Sequence, residues 1–295
     1  MTEHEGHTRG LEANLVYGMH SGLALLMDVH HPAHSNGLGV VYINGSGWHA
    51  PLGYNAEPLK DTPLGLPYIT ALFQGGYTVF AINHRAAPRF RYPCALEDAQ
   101  RAVRFVRHHA QRFGIAPGWI GACGGSSGGH LASLLGTLDG TGDPLDPDPV
   151  NRESARVQCV VARAPPVDLA GFLDGASSGI VTGFLGMLAR GEANGAYSTE
   201  HHTYREASPL HHVDASAPPF LLIHGNADDI VPYRQSKMMQ AALEAVGVPA
   251  ELLCIEGAGH GPDFPGAAEP PDYLGAMVRW FDAHLHSPPH GNPHD

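Results

Sequence analysis

Short apolar runs rich in β-branched residues alternate along this chain with longer segments whose apolar residues recur every three or four positions. Several of these runs are too apolar for an exposed sheet. Their alternation with helical segments is typical of a mostly parallel sheet that helices cover on both faces. The sequence therefore predicts an α/β fold. The predicted strands cover residues 23–29, 39–43, 77–83, 119–123, 157–164, 220–224 and 251–255.

The clearest helix lies between the third and fourth of these strands. Its apolar residues recur at steps of 3, 4, 3, 4 and 3, which places them in one stripe along an amphipathic helix. They are Leu96, Ala99, Val103, Val106, Ala110 and Phe113. Further helices are predicted over residues 128–138 and 234–246 and around residues 273–281.

Composition and charge exclude several classes of protein. The 295 residues suffice for a large domain with a substantial core. Lys+Arg 17 against Asp+Glu 29 gives a net charge of −12, and without a dense basic run we expect no nucleic-acid partner. The first residues lack the cationic and apolar segments of a secretion signal, and no apolar stretch approaches the roughly 18 residues of a membrane span. These observations predict a cytoplasmic protein with no membrane partner.

Two segments depart from the alternation of strands and helices. Residues 139–151 are acidic and rich in proline, which predicts a surface loop. Residues 170–207 carry many glycines among apolar side chains, a composition that favours a mobile insertion over a site. We therefore expect one α/β domain over residues 1–286 with this insertion as a cap, followed by a flexible tail at residues 287–295.

The most informative motif follows the strand predicted at residues 119–123. A serine with glycines two positions to either side, between a strand and a helix, is typical of a nucleophile elbow, where small neighbours allow a sharp turn that exposes the hydroxyl. Two frames satisfy the pattern, one centred on Ser126 and the other on Ser127. We favour Ser126, because Gly124 then follows the strand directly and Gly128 opens the helix. A phosphate-binding loop is the competing interpretation, which the absence of a following lysine disfavours.

A serine nucleophile needs a base, and the base needs an anion to hold it. After an elbow of this type they follow later in the chain as Asp or Glu and then His. Asp228 and Asp229 come after the strand at residues 220–224, and His260 lies between two glycines after the strand at residues 251–255. Because the carboxyl ends of parallel strands meet at one edge of a sheet, we expect these residues to converge on the serine. Either aspartate could instead cap the helix that follows.

A fourth element precedes the serine in the chain. The strand at residues 39–43 leads into Asn44-Gly45-Ser46-Gly47-Trp48, a loop with little side-chain bulk at its centre. Such a loop can turn its N–H groups toward a carbonyl oxygen that becomes negative during acyl transfer. The sequence predicts an oxyanion loop here, with an ordinary turn as the alternative.

Together these motifs resemble those of α/β-hydrolases in the hormone-sensitive-lipase and BD-FAE-like esterase group, over roughly residues 20–285. The loop at residues 44–48 stands where that group has His-Gly-Gly-Gly-Trp, and residues 124–132 match its Gly-Gly-Ser-Ala-Gly-Gly-His-Leu-Ala elbow. Its Tyr-Arg-Leu-Ala-Pro segment, acid loop and base loop are matched by residues 83–98, 224–232 and 257–261. The resemblance implies an α/β-hydrolase fold, with a mostly parallel central sheet, helices on both faces and a cap insertion.

The resemblance also implies a role for each site residue. Ser126 would be the nucleophile, His260 the general base, and Asp228 rather than Asp229 the acid of the triad. Trp48 would contact the substrate. The N–H groups that would hold the oxyanion belong to Gly45, Ser46 and Ser127.

Two residues of the oxyanion loop depart from the pattern of the group. Asn44 stands in place of its His, and Ser46 in place of a Gly. We expect the backbone donors to survive both changes, because they belong to the main chain. We also expect Ser46 to adopt a conformation in which glycine is usually found.

These residues predict a serine carboxylesterase that hydrolyses small or aromatic carboxylic esters through an acyl-enzyme, without cofactor or metal. Its partner would be a small-molecule ester, such as the acyl or aryl ester of a carbohydrate or polymer. The alternatives are an amide hydrolase of the same fold, of the arylformamidase or acyl-peptidase type, and a non-catalytic binding relative. A metal protein is disfavoured, because the paired histidines are adjacent and no His-Glu-x-x-His segment is present.

Overall fold

A computed structural model describes residues 10–171, 178–186 and 197–285 of the chain. The strands in these residues are β1 (Leu11–His20), β2 (Leu23–His30), β3 (Gly39–Ile43), β4 (Thr78–Ile82), β5 (Ile120–Gly125), β6 (Cys159–Arg163), β7 (Phe220–Gly225) and β8 (Ala250–Ile255). They form one sheet in the order β1-β2-β4-β3-β5-β6-β7-β8. The pairs β1–β2 and β2–β4 are antiparallel, and all the other pairs are parallel.

Helices cover both faces of the sheet, as predicted. On one face, α1 and α8 contribute Tyr68, Leu72, Met277 and Phe281 to an apolar core. On the other face, α2, α4 and α7 pack in a second core together with β-strand side chains. The α-helices of the described residues are α1 (Leu66–Gln74), α2 (Cys94–His108), α3 (Ala110–Phe113), α4 (Ser127–Thr137), α5 (Ser178–Leu185), α6 (Tyr197–Glu206), α7 (Arg234–Ala245) and α8 (Tyr273–His284).

Each strand predicted from the sequence is present, and its observed ends differ from the predicted ends by at most two residues. The apolar stripe of the clearest helix is buried as expected. That helix is interrupted at His109, however, so the stripe runs over α2 and then α3, which ends at the left-handed Gly114 with φ of 66°. The acidic segment contains one short 3₁₀ turn, Pro149–Arg152, and is otherwise irregular.

The sequence analysis missed β1 and α1. β1 is an edge strand with two irregularities in its pairing to β2, and Asn14 within it has a positive φ of 58°. These irregularities break the alternation of buried and exposed side chains that identifies a strand. α1 spans nine residues and includes Pro, Ile and Thr, so it carries neither the length nor the composition of a strong helical pattern.

The predicted cap is described only in part. Residues 172–177 and 187–196 of it lie outside the described residues, as does the predicted tail at residues 287–295. α5 and α6 belong to this segment, and Val181 and Phe184 of α5 are buried in the second core, beside α2 and α4. Within the described part of the chain, every helix falls short of the length and apolar character that a membrane span requires.

The parallel strands direct the predicted site residues to one edge of the sheet. Asn44 directly follows β3, Ser126 directly follows β5, and Asp228 comes three residues after β7. His260 lies in the loop after β8. These strands are neighbours or near neighbours in the sheet, so their carboxyl ends bring the four loops together.

Candidate active site

The turn at Ser126 is sharp because the chain reverses there between β5 and α4. Ser126 has φ of 54° and ψ of −123°, a backbone conformation that residues with a side chain seldom adopt. Glycines allow the start of α4 to pass close to the ends of β3 and β5. A Cβ on Gly128 would lie 2.0 Å from the carbonyl oxygen of Ile43. A Cβ on Gly124 would lie 2.5 Å from the backbone of Gly128. The glycine pattern of the elbow therefore reflects close contact between backbone segments.

Three side chains that are distant in sequence form a continuous hydrogen-bonded chain at this turn. Ser126 Oγ lies 3.0 Å from His260 Nε2, and His260 Nδ1 lies 2.7 Å from Asp228 Oδ2. Since a carboxylate can only accept, Nδ1 carries the hydrogen and Nε2 is left to accept the hydrogen bond of the serine hydroxyl. This arrangement places the imidazole where it can remove a proton from Ser126.

Asp228 is held as a buried anion. Its Oδ1 accepts hydrogen bonds from the N–H groups of Ile230 and Val231 at 2.9 and 2.8 Å. Burial would raise the pKa of Asp228, but hydrogen bonds from His224, His260 and Val231 outweigh that effect and hold the pKa well below its usual range. The carboxylate therefore remains charged at any pH near neutrality.

The neighbouring aspartate occupies a different environment. Asp229 is exposed, whereas the side chain of Asp228 is 1% exposed. Neither one caps the following helix, because α7 begins after Tyr233 without a side-chain cap. The geometry thus brings Asp228 to His260 and leaves Asp229 at the surface.

Two residues that support this arrangement were missed by the sequence analysis. His224, fully buried at the end of β7, places Nε2 3.3 Å from Asp228 Oδ2 and 2.9 Å from the carbonyl oxygen of Val231. Arg163, at the end of β6, donates to the carbonyl oxygen of Gly261 at 2.9 Å and accepts the N–H of Ser126 on its own carbonyl at 2.7 Å. Arg163 therefore connects the base loop to the elbow. His224 is the last residue of a predicted strand and Arg163 the last but one of another, and this position at a strand end is the one sequence signal that could have identified them.

The loop at residues 44–48, predicted to be the oxyanion loop, has its unusual backbone conformation at residues other than the expected one. Gly47 and Trp48 have positive φ values of 62° and 58°, whereas Ser46 does not, so the expectation for Ser46 is wrong. The Ser46 N–H is also engaged, because it donates to Ser127 Oγ at 2.9 Å. Gly45 packs tightly against the elbow, where a Cβ would lie 2.5 Å from the carbonyl oxygen of Gly125.

Asn44 anchors the start of this loop. Its side chain is buried, and Nδ2 donates to the carbonyl oxygen of Leu59 at 2.8 Å. The bond ties the end of β3 to the 3₁₀ turn Leu59–Asp61. Oδ1 of Asn44 has no hydrogen-bond partner among the described residues.

Trp48 is part of a buried aromatic cluster beside the serine. It is 1% exposed and stacks on Phe184 of α5, with ring centroids 4.5 Å apart. Its Nε1 donates to His130 Nδ1 at 3.0 Å, and His130 Nε2 lies 2.7 Å from the carbonyl oxygen of Ala207. Burial lowers the pKa of His130 to about 4, so this imidazole is neutral and its Nε2 carries the hydrogen. His130 therefore connects the oxyanion loop, the elbow helix and the end of the cap segment.

A small cavity of about 30 Å³ lies over Ser126. Its wall is almost entirely apolar, apart from the two serines of the elbow. The lining residues are Gly47, Trp48, Ser126, Ser127, Pro166, Ile180, Ile230 and Val231. Of the predicted oxyanion residues, Ser127 is among them, while Gly45 and Ser46 are not. Gly47 borders the cavity although the sequence analysis did not assign it a role.

The paired histidines that were considered as metal ligands lie outside the group formed by Ser126, His260 and Asp228. Across the described ranges, no three His, Cys, Asp or Glu side chains are arranged to hold a metal ion. His31 lies 3.8 Å from Glu12, and His211 lies 4.0 Å from Asp168. Each of these contacts involves a single carboxylate.

Comparisons with known proteins agree with this architecture. The sequence model of the BD-FAE family matches residues 27–243. Esterase LipC of Mycobacterium tuberculosis is 29% identical over 200 residues, which are 68% of this chain and 48% of LipC. The chain spans 38 to 48% of the length of the first three mycobacterial relatives that it matches.

Solved structures extend the likeness over most of the fold. A truncated carbohydrate esterase from gut microbiota has a TM-score of 0.74 and 26% identity, and the match covers 95% of this chain and 99% of that one. An acetyl ester-xyloside bifunctional hydrolase from Caldicellulosiruptor lactoaceticus has a TM-score of 0.70 and 29% identity, with 88% of each chain covered. The fold is therefore that of the α/β-hydrolases, and the chain belongs to the BD-FAE family.

Proposed function

We propose that this protein is a serine carboxylesterase that hydrolyses small carboxylic esters through an acyl-enzyme. The observation that carries the proposal is the hydrogen-bonded chain from Ser126 Oγ through His260 to the buried carboxylate of Asp228. A family match over residues 27–243 and relatives named as esterases support the same chemistry.

The proposed reaction has two halves. In the first, His260 Nε2 takes the proton of Ser126 as Oγ attacks the ester carbonyl carbon, and the imidazolium then gives that proton to the departing alcohol. In the second, His260 takes a proton from water, the resulting hydroxide attacks the acyl-enzyme, and the proton returns to Ser126 as the acid leaves. Asp228 keeps Nδ1 protonated and stabilises the positive imidazolium in both halves.

Backbone N–H groups stabilise the tetrahedral oxyanion in this proposal. Ser127 is the first residue of α4, so its N–H lacks a partner within the helix and points out of the helix start. Gly47 is a second candidate donor, because it borders the same cavity as Ser126. The donor role of Gly45 stays a prediction from the resemblance. The N–H of Ser46 reaches the cavity only through the hydroxyl of Ser127.

The cavity favours a small acyl group. Its volume of about 30 Å³ is small, and Ile180, Ile230 and Trp48 line it with apolar surface. Trp48 already stacks on Phe184 with an interplanar angle of 12°, so that face of its ring is not open to an aromatic substrate. We therefore propose short-chain esters as substrates ahead of aromatic acyl groups. The alcohol portion is proposed to be a carbohydrate or another small alcohol, by analogy with the carbohydrate esterase that this chain resembles.

The test combines turnover with covalent labelling. Ser126→Ala should lower the kcat for p-nitrophenyl acetate by on the order of a million-fold and leave the circular dichroism spectrum unchanged. A fluorophosphonate probe should label the wild type, and peptide mapping should place the adduct on Ser126. An adduct on Ser127, or full turnover by the Ser126→Ala variant, would refute the proposed nucleophile.

A further inference from the structure

We infer that the hydroxyl of Ser127 is an additional hydrogen-bond donor to the oxyanion, a role that rests on the proposed function. The esterase group that the sequence resembles commonly carries alanine after its nucleophile, and alanine has no group that could act this way. This chain carries a second serine there. The role belongs to the side chain and adds to the backbone N–H of the same residue.

The hydrogen bonds around Ser127 leave its own hydrogen available. Ser127 Oγ accepts the N–H of Ser46 at 2.9 Å. The residue is 1% exposed, and none of the hydrogen bonds in the described part of the chain uses the Ser127 hydroxyl as a donor. A buried hydroxyl normally finds an acceptor, because leaving it without one costs free energy. Ser127 lines the cavity at Ser126, so a bound ester oxygen can provide the missing acceptor.

The surroundings make this hydroxyl a stronger donor than an isolated serine. A hydroxyl that accepts a hydrogen bond is polarised and donates more strongly, and the effect grows away from water. Ser127 also lies at the start of α4, an eleven-residue helix, where the aligned peptide dipoles favour negative charge. The Ser46 N–H thus reaches the oxyanion by way of Ser127: the N–H donates to Oγ, and Oγ–H donates to the negative oxygen. No proton leaves Ser127 in this arrangement.

The same geometry argues against Ser127 as the nucleophile. His260 Nε2 is 3.0 Å from Ser126 Oγ, whereas Ser127 Oγ lies against the oxyanion loop. An attacking oxygen needs a base that accepts its proton, while an oxyanion donor must keep its proton. The two adjacent serines therefore have opposite roles.

The test is Ser127→Ala, which keeps the backbone N–H and removes only the hydroxyl. We expect kcat for p-nitrophenyl acetate to fall by on the order of a hundredfold, with KM changed by less than about threefold, because the donor acts mainly in the transition state. Affinity for a trifluoromethyl ketone, whose hemiketal carries an oxyanion, should fall by a similar factor. Ser127→Thr, which restores the hydroxyl, should recover part of both losses.

Ser133→Ala is the matched control. It removes a buried hydroxyl of the same helix, one that donates to the carbonyl oxygen of Gly129 at 2.7 Å and lies outside the residues that line the cavity, so kcat and inhibitor affinity should stay close to those of the wild type. If Ser127→Ala keeps or raises kcat while the probe still labels Ser126, the inference is wrong and the proposed esterase stands. If the wild type neither turns over esters nor reacts with the probe, the proposed function is wrong and the inference falls with it.

Discussion

At the scale of single residues, the site depends on one charge that is held firmly in place. Asp228 receives two backbone N–H groups on one oxygen and two histidines on the other, so its hydrogen-bonding capacity is nearly filled by the protein. A carboxylate with these partners fixes the tautomer of His260, and in the proposed reaction it would stabilise the positive charge that the imidazole gains. Its orientation is therefore set before a substrate arrives.

Replacing this carboxylate by an amide tests its role. Asp228→Asn preserves the shape of the side chain but presents an N–H₂ group or a neutral oxygen to His260, which favours the wrong tautomer. We expect kcat for p-nitrophenyl acetate to fall by on the order of 10⁴-fold. Asp229→Asn changes the exposed neighbour and serves as the control, with kcat within about twofold of the wild type. The opposite ranking of these two variants would assign the acid to Asp229.

The sequence alone could identify the main candidate residues but not all their partners. Ser126, Asp228 and His260 stand in recognisable patterns at predicted strand ends, so the fold predicts that they meet. The contact between Ser46 and Ser127 joins residues 81 positions apart and depends on a side-chain rotamer, which no local pattern encodes. The pairing of His224 with Asp228 joins residues only four positions apart, but it too depends on side-chain orientation and was visible only in three dimensions.

At the scale of elements, the site depends on how closely α4 crosses the ends of β3 and β5. The strands themselves could be predicted, because buried parallel strands appear as short continuous apolar runs. β1 and α1 could not, since an irregular edge strand and a nine-residue helix lack a sustained period. The sequence likewise does not give the distance at which α4 crosses these strands, although the glycines at positions 124 and 128 indicate that it is short.

A pair of glycine substitutions measures how much this crossing matters to the fold. Gly128→Ala would place a methyl group 2.0 Å from the carbonyl oxygen of Ile43, so a strand or the helix must shift. We expect the free energy of unfolding in urea to drop by about 3 kcal/mol or more. Gly118→Ala is the control, because its Cβ would meet nothing within 4 Å and its φ is not in the left-handed region.

For the control, stability should stay the same or rise by up to about 1 kcal/mol, since alanine restricts the unfolded chain. Equal stability of the two variants would mean that α4 can move away from β3 without cost. The elbow would then be a tolerant turn, and its glycines would need another explanation.

At the scale of the whole molecule, His130 joins parts of the fold that are far apart in sequence. Its ring contacts Trp48 of the oxyanion loop and Phe184 of α5, and its Nε2 hydrogen-bonds to Ala207 at the end of the cap segment. It does so as a neutral imidazole without any exposed surface. Because protonation would place a charge among these aromatic rings, the stability of the assembled fold is linked to pH through this residue.

The sign of that linkage follows from the two pKa values. In the unfolded chain a histidine binds a proton as the pH falls through about 6.5. In the folded protein burial lowers the pKa of His130 to about 4, so this residue binds its proton only near that pH. Between those values only the unfolded state gains the proton, so the free energy of unfolding should decrease as the pH falls from about 6.5 to about 4, by up to about 3 kcal/mol from this residue.

Urea unfolding of the wild type and of His130→Gln across that pH range tests the linkage. Glutamine retains an N–H donor for the carbonyl oxygen of Ala207 but does not titrate, so the variant should be less stable at pH 7 yet lose less stability on acidification. Burial also lowers the pKa of His84, so part of the dependence of stability on pH should remain in both proteins. His20→Gln, a change of an exposed histidine, is the control and should keep the slope of the wild type. Parallel pH curves for the wild type and His130→Gln would show that His130 accepts its proton in the folded state as readily as in the unfolded chain, and that the aromatic cluster around it opens to water.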